Sequence, residues 1–197
     1  MKVLVTGGRG LLGEATVTEL VRRGHDVTTF QRGATAHTRE VRGDITDAEA
    51  VRRAVAGHDA VVHLAARVSM TGDWHDFVAV NVDGTRNVVA ACRDQGVRRL
   101  VHVSSPSVAH AGEPLVGAGA QPADAQRARG SYARSKAMAE QVALAANSAD
   151  LSVIAIRPHL VWGPGDTQLV ERIIDRARSG RLLLVDRGHA LIDTTYI

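Results

Sequence analysis

The first thirteen residues, Met1-Lys2-Val3-Leu4-Val5-Thr6-Gly7-Gly8-Arg9-Gly10-Leu11-Leu12-Gly13, contain a short apolar run that ends in closely spaced glycines. The apolar run predicts a buried strand, and the amphipathic stretch 11–23 predicts a helix that stops at Gly24. The glycines at 7, 10 and 13 form the turn between them. A strand, a glycine turn and a helix in this order are typical of the first unit of a parallel α/β sheet.

The same alternation of strands and helices continues along the chain. Further strands are predicted at 26–31, 60–64, 100–104, 151–157 and 181–185, and further helices at 47–56, 74–95, 131–147 and 168–179. A polar loop with glycine and proline fills 106–130. We therefore predict an α/β fold, a Rossmann-type doubly wound parallel sheet with helices on both faces.

Composition narrows the class of protein. The 197 residues are 45% hydrophobic and 23% charged, which describes a globular chain. The single cysteine, Cys92, predicts a buried free thiol in a reducing compartment, and no signal peptide or run of 18 apolar residues is found, so we expect a cytoplasmic protein without a membrane segment. The net charge of +3 is spread over separated arginine pairs and aromatics are only 3%, so we expect no nucleic-acid partner.

The glycine turn predicts a dinucleotide site. Glycines allow a tight turn in which backbone N–H groups approach a pyrophosphate, and the helix N-terminus stabilises its charge. A lone glycine motif also occurs in ordinary turns, but here a strand precedes it and an amphipathic helix follows it. We assign the cofactor's phosphates to Gly7, Gly10, Leu11, Leu12 and Gly13.

The end of the second predicted strand distinguishes NADP from NAD. An acidic residue there binds the ribose hydroxyls of NAD, whereas an arginine accommodates the 2′-phosphate of NADP. This strand ends in the neutral Gln31, followed by Arg32. NADP(H) is therefore favoured over NAD(H), with Arg32 as the phosphate ligand; the alternative is that Arg32 is one of many surface arginines.

Tyr132 and Lys136 stand four residues apart at the start of a predicted helix, and residues at this spacing share a helix face. A neighbouring cation favours the phenolate and so lowers a tyrosine pKa, which makes the pair a proton-transfer catalyst. Only Lys2 and Lys136 are lysines among 24 basic residues, so a chance match has a probability of about 1%. Before this helix, Ser104 and Ser105 end a strand, where a hydroxyl can hydrogen-bond a substrate oxygen.

Several motifs in order resemble the extended short-chain dehydrogenase/reductases of the NAD-dependent epimerase/dehydratase superfamily. They are the glycine turn, Gly43-Asp44-Ile45, His63-Leu64-Ala65-Ala66, Asn81-Val82-Asp83-Gly84-Thr85, Ser104-Ser105, Tyr132 to Lys136, and Arg157-Pro158. The resemblance implies that Tyr132 is the general acid/base, that Lys136 lowers its pKa and holds the nicotinamide ribose, and that Ser105 hydrogen-bonds the substrate oxygen.

The resemblance also implies further cofactor contacts. Asp44 and Ile45 would flank the adenine, Leu64, Ala65 and Ala66 the middle of the cofactor, and Pro158 the nicotinamide, while Asn81 would support the site from its helix. No metal ligands are implied. We assign 1–180 to an NADP-binding domain that includes the catalytic residues, and 181–197 to the start of a substrate-binding region that we expect to be cut short.

Within the family, Ser104-Ser105-Pro106-Ser107-Val108 and the stretch 157–166 resemble the branch of 3β-hydroxysteroid dehydrogenases and 2-alkyl-3-oxoalkanoate reductases. This resemblance implies interconversion of a hydroxyl and a keto group on a hydrophobic small molecule. A nucleotide-sugar epimerase or dehydratase and a non-catalytic NADP sensor remain alternatives. Relatives often form homodimers through the helices at 74–95 and 131–147, so a homodimer is a further expectation.

Overall fold

Six parallel strands form the main sheet of the computed structural model, which describes residues 1–34, 39–69, 71–110, 112, 115–167, 169–189 and 191–197. Their spatial order is β3-β2-β1-β4-β5-β6. The strands are β1 Lys2–Thr6, β2 Asp26–Gln31, β3 Arg39–Arg42, β4 Ala60–His63, β5 Arg99–Val103 and β6 Ser152–Ile156. The order reverses between β1 and β4, and ligands of such sheets bind outside the carboxyl ends of the strands at this reversal.

Helices cover both faces of this sheet, as the sequence predicts. They are α1 Leu11–Arg22, α2 Ala48–Val55, α3 Trp74–Phe77, α4 Gly84–Asp94 and α5 Gly130–Leu144. Leu4 packs in the larger core with α2, α4 and α5, whereas its neighbours Val3 and Val5 pack with Val17 of α1. Because successive side chains of a strand point to opposite faces, α1 lies on the face opposite the other helices.

The predicted helix at 74–95 is continuous but irregular. A π-helical turn, Val78–Asp83, joins α3 to α4, and such turns often occur at functional sites. α4 begins at Gly84, and the absence of a Cβ there leaves room for the Ile45 side chain, from which a Cβ would lie only 2.7 Å away. Cys92 is buried in α4, as predicted, and burial raises the pKa of its thiol to about 12.

The chain divides into two compact units, Met1–Arg157 and Pro158–Ile197. The second unit contains α6, Val170–Arg178, and two short parallel strands, β7 Val161–Trp162 and β8 Thr195–Tyr196. The Trp162 and Tyr196 rings meet edge to face with their centroids 4.9 Å apart. The unit boundary falls before the predicted domain boundary at 180; the assignment of cofactor and substrate functions to 1–180 and 181–197 stays a prediction.

One predicted strand is wrong, and one strand of the main sheet was not predicted. The strand predicted at 181–185 is wrong: residues 181–184 form no regular element, and a 3₁₀ turn, Val185–Gly188, follows. An apolar run becomes a strand only beside a partner that takes its hydrogen bonds, and among the described residues β7 pairs with β8 instead. Conversely, β3 was not predicted, because Arg39-Glu40-Val41-Arg42 is polar and forms the sheet edge. The predicted start of the last helix, Gln168, lies outside the described residues.

Candidate active site

The glycine turn lies between β1 and α1, and backbone atoms pack so closely in it that two of its positions have no room for a Cβ. Gly7 has a φ of 76°, and a Cβ there would lie 2.8 Å from the backbone nitrogen of Ala65. A Cβ on Gly13 would lie 2.2 Å from the Gly7 carbonyl oxygen. A Cβ on Gly10 would meet only that same oxygen, at 3.6 Å. Gly7 and Gly13 are therefore required by the turn itself, while Gly10 faces open space.

The first turn of α1 is open to an anion. Gly10 is the residue before the helix, and it has no side chain to accept hydrogen bonds from the first helical N–H groups. The N–H groups at the start of a helix have no partner within the helix. Those of Leu11, Leu12 and Gly13 are therefore available to a phosphate, which the helix dipole also favours.

The end of β2 is neutral and then basic. The side-chain nitrogen of Gln31, Nε2, donates to the Thr29 hydroxyl at 3.4 Å. The side-chain oxygen of Gln31, Oε1, is buried without a hydrogen-bond partner. Arg32 is 82% exposed and lies 3.9 Å from Asp44. Arg9, from the glycine turn, extends to the same place, since a Cβ on Gly33 would lie 2.4 Å from its guanidinium. Two guanidinium groups thus stand at this strand end.

The segment after β4 touches the glycine turn. The N–H of Leu64 donates to the Thr6 carbonyl at 3.1 Å, and that of Ala65 donates to the Thr6 hydroxyl at 3.2 Å. Asn81, buried in the π-helical turn, accepts a bond from the Arg67 N–H at 2.7 Å. Leu64, Ala65 and Ala66 are half-buried beside the turn, where the family resemblance implies that the middle of the cofactor lies.

The two residues expected at the adenine differ in their surroundings. Ile45 is buried, with its side chain in the larger core against Gly84, so only its backbone can line a ligand site. Asp44 accepts bonds from the N–H and hydroxyl of Thr46, both at 3.0 Å. Their contact with adenine stays a prediction.

Tyr132, Lys136 and Ser105 lie where β5 ends and α5 begins. The Ser105 hydroxyl lies beside the Tyr132 phenol, whose pKa it lowers, and it is 2.9 Å from the hydroxyl of Ser107. The Lys136 ammonium is buried under α5 and donates to the Val103 carbonyl at 2.7 Å. An ammonium has three protons to donate, so this bond fixes the side chain and leaves two donors for a ligand.

The protonation states of this group follow from burial. Burial raises the pKa of Tyr132, and the neighbouring Ser105 hydroxyl opposes that rise. Burial lowers the pKa of Lys136 to about 8, against the attraction of Glu140. The net direction of the Tyr132 pKa is upward, and the expected lowering of this pKa by Lys136 stays a prediction. The phenol is neutral at pH 7 and can donate a proton.

Several groups of the site were not predicted. Arg9 falls inside the glycine motif, where its type carried no signal, and Ser107 reaches Ser105 only because a 3₁₀ turn, Pro106–Val108, folds it back. The Arg157 guanidinium bonds both carboxylate oxygens of Glu140, which ties α5 to the end of β6. Their sequence distances gave no hint of these contacts.

These residues fit a dinucleotide. The turn has no room for side chains at Gly7 and Gly13, the α1 N-terminus has free donors, and the buried Gln31 oxygen lacks a partner. Pro158, expected at the nicotinamide, begins the second unit, and its contact stays a prediction. Within the described ranges no cluster of three or more His, Cys, Asp or Glu side chains could hold a metal ion. Of the helices that the structure describes, none has the length and hydropathy to cross a membrane.

The sheet order, the glycine turn and the Tyr132–Lys136 pair define a Rossmann-type protein of the short-chain dehydrogenase/reductase class. More narrowly, residues 3–197 match the model of the NAD dependent epimerase/dehydratase family, and the chain belongs to that family.

Relatives of known name fall in the predicted branch. The chain is 48% identical to a 2-alkyl-3-oxoalkanoate reductase of Stenotrophomonas maltophilia, covering 100% of this chain and 62% of the relative. It is 36% identical to a 3 beta-hydroxysteroid dehydrogenase/Delta 5-->4-isomerase of Mycobacterium tuberculosis, with 100% and 57% covered. The chain thus spans somewhat more than half the length of these relatives.

Solved structures agree in fold. MoeE5 in complex with UDP-glucuronic acid and NAD superposes with a TM-score of 0.81 at 29% identity, covering 100% of this chain and 68% of the other. The UDP-glucose 4-epimerase of Thermus thermophilus in complex with NAD gives 0.77 at 30% identity, with 93% and 64% covered.

Proposed function

We propose that this chain is the cofactor-binding and catalytic part of an NADP(H)-dependent oxidoreductase that interconverts a hydroxyl and a keto group on a hydrophobic substrate. The observation that carries the proposal is the Tyr132 phenol, which lies beside the Ser105 hydroxyl and on the same helix as the buried Lys136 ammonium. A phenol and a hydroxyl together can bind one substrate oxygen and supply its proton.

In the reduction, the chain contributes binding and a proton. When bound, the nicotinamide supplies a hydride from its C4. Ser105 and Tyr132 hydrogen-bond the substrate carbonyl oxygen, and Tyr132 donates its proton to that oxygen as the carbon is reduced. Lys136, held by the Val103 carbonyl, would bind the ribose hydroxyls of the cofactor with its two remaining N–H donors, and its charge would stabilise the phenolate that Tyr132 becomes. In the oxidation the same proton returns to Tyr132.

The preference for NADP(H) rests on charge at the end of β2. Gln31 carries no charge to repel a 2′-phosphate, and the guanidinium groups of Arg32 and Arg9 both lie at this strand end. Arginine is well suited to phosphate because its planar fork can donate two parallel hydrogen bonds. Without cofactor, Arg32 and Asp44 form only an exposed ion pair at 3.9 Å. Because such a pair contributes little to stability, little energy is lost when a phosphate replaces Asp44 as the partner of Arg32.

The substrate class rests on the relatives. Besides the two named above, a farnesyl-dihydroquinoline-oxide ketoreductase of Stigmatella aurantiaca is 33% identical to this chain. All three names describe oxidation or reduction at an apolar molecule, which favours a sterol-like or 3-oxoacyl-like substrate here.

The direct test is to mix the protein with NADPH and a 2-alkyl-3-oxoalkanoate and to follow NADPH absorbance. Net, stoichiometric consumption is expected. A UDP-hexose that is isomerised without net consumption would instead identify an epimerase, because an epimerase returns its hydride. Tight NADPH binding without turnover of either substrate would identify a sensor.

A homodimer and a cytoplasmic location belong to the same proposal. The dimer would form through the outer surfaces of α4 and α5, the helices that the family resemblance indicates. Light scattering of the purified protein tests it, with a monomer mass as the contrary result, and fractionation of cells tests the location.

A further inference from the structure

A row of buried hydrogen bonds starts at the strand end that precedes the glycine turn. The Ala65 N–H donates to the Thr6 hydroxyl at 3.2 Å, and this hydroxyl lies 2.7 Å from Nδ1 of His63. The other ring nitrogen, Nε2, lies 3.0 Å from the Thr85 hydroxyl. Thr6, His63 and Thr85 are all buried. None of these three side chains takes part in the proposed chemistry.

The partners fix the direction of every bond. Thr85 donates its only hydroxyl proton to the Asn81 carbonyl at 2.6 Å, so it must accept from Nε2–H of His63. A neutral imidazole with its proton on Nε2 accepts at Nδ1, so Thr6 donates its proton there. The Thr6 oxygen is then free to accept from Ala65. Only the Nε2–H tautomer satisfies all of these groups.

The row continues to the catalytic helix. The Asn81 side-chain amide donates to the Ser135 hydroxyl at 2.9 Å, and Ser135 donates to the Tyr132 carbonyl at 2.9 Å. Asn81 thus accepts a hydrogen bond from Thr85 at its backbone carbonyl and donates another to Ser135 from its side-chain amide. Hydrogen bonds aligned in one direction and shielded from water strengthen one another.

His63 is held neutral by its surroundings. Burial and the positive charge of Lys136 lower its pKa to about 3. The ring of His102 lies 5.5 Å away, centroid to centroid, and is itself buried and neutral because burial and Lys136 lower its pKa. His63 is therefore neutral at pH 7, and its hydrogen-bond partners alone decide its tautomer.

We propose that His63 is a positioning residue: its Nε2–H tautomer couples the strand end before the phosphate-binding turn to Asn81, and through Asn81 to the backbone of Tyr132. It aligns the two halves of the site without touching either reactant. The proposal rests on the proposed function, since that function makes the turn and Tyr132 parts of one site.

The first test reads the tautomer directly. In ¹⁵N-labelled protein without cofactor, long-range proton–nitrogen correlations of His63 should show a protonated Nε2 and a bare Nδ1. A proton on Nδ1, or on both nitrogens at neutral pH, would overturn the proposal.

The second test breaks the row at one end and reads the other. Thr6→Val keeps the shape but removes the hydroxyl; it should shift the amide signals of Tyr132 and Ser135 and raise the Kd for NADPH about tenfold, while Thr6→Ser should restore both. Thr28→Val is the matched control, because Thr28 is a buried strand threonine that takes no part in these bonds. It should leave the amide signals and the Kd unchanged.

Equal effects of Thr6→Val and Thr28→Val would reduce Thr6 to an ordinary core residue and refute the coupling. If Thr6→Val does not fold, the proposal is still tested by the His63 tautomer and by Thr6→Ser, which should keep the amide signals and the Kd of the wild type. Wild-type protein that binds neither NADPH nor NADH would refute the proposed function, whereas the tautomer and amide signals, measured without cofactor, would judge the role of His63 separately.

Discussion

The glycine turn depends on backbone atoms, whereas the catalytic group depends on side chains. The turn is backbone: its geometry depends on the absence of side chains at Gly7 and Gly13, and its donors are the N–H groups of α1. The catalytic group is made of side chains: Tyr132 lies half-buried beside Ser105, and one hydrogen bond to the Val103 carbonyl holds the buried Lys136 ammonium. The turn should therefore be damaged by adding atoms, and the catalytic group by removing them.

The largest effect is expected from removing one oxygen in the catalytic group. Tyr132→Phe deletes the proton donor and leaves the turn intact, so turnover should fall at least about 1,000-fold, or about 4 kcal/mol, with the Kd for NADPH within about twofold. Steady-state kinetics and a fluorescence titration measure the two. The control is Tyr196→Phe, which removes the phenol of the second unit. Turnover that survives Tyr132→Phe would exclude the mechanism.

The next effect comes from adding one methyl group to the turn. Gly13→Ala places a Cβ 2.2 Å from the Gly7 carbonyl oxygen, where only the backbone can give way. We expect a free energy of unfolding lower by about 1–3 kcal/mol and a Kd for NADPH raised about 100-fold.

Gly10→Ala is the matched variant in the same turn, because a Cβ there meets only one atom, at 3.6 Å. It should leave stability unchanged, so any loss of NADPH affinity would measure contact with the cofactor itself. If urea unfolding gave Gly10→Ala and Gly13→Ala the same loss of stability, the closed geometry of the turn would be contradicted.

The same contrast explains which features the sequence could predict. Backbone geometry follows from local residue types, so β1, α1 and the positions of the required glycines were predictable. The Tyr132–Lys136 spacing was predictable because one helix fixes it. The Val103 carbonyl under Lys136 and the tautomer of His63 depend on contacts between distant elements, and no local pattern encodes them. The strand expected at 181–185 failed for the same reason, since strands need partners.

Acid should lower the free energy of unfolding, because two buried histidine side chains cannot take up protons in the folded chain. His63 and His102 are buried and neutral when folded, with the pKa of His63 lowered to about 3 and that of His102 also lowered. Below pH 6.5 the unfolded chain therefore binds protons that the folded chain does not. The contribution of these two histidines to the free energy of unfolding is fully present above about pH 6.5. It is lost as the pH decreases, by up to about 1.4 kcal/mol per pH unit for each histidine.

Urea unfolding at pH 7 and pH 5.5 measures this loss. His102→Gln should reduce the difference between the two pH values by about half, since one of the two protons is then lost from the balance. His189→Gln, a substitution at an exposed histidine of the second unit, is the control. A wild-type stability that is equal at both pH values would show that the buried imidazoles take up protons in the folded state.

The smallest effect concerns the cofactor's 2′-phosphate, which we propose is bound by the side chains of Arg32 and Arg9. Arg32→Ala should raise the Kd for NADPH about tenfold and leave that for NADH nearly unchanged, because only NADPH carries the added phosphate. Arg9→Ala should act in the same direction, since its guanidinium lies against Gly33 at the same strand end. Arg53→Ala, an exposed arginine of α2 paired with Glu49, should affect neither cofactor. If Arg32→Ala weakened NADPH and NADH equally, Arg32 would be holding a part common to both cofactors, and the NADP preference would lose its main support.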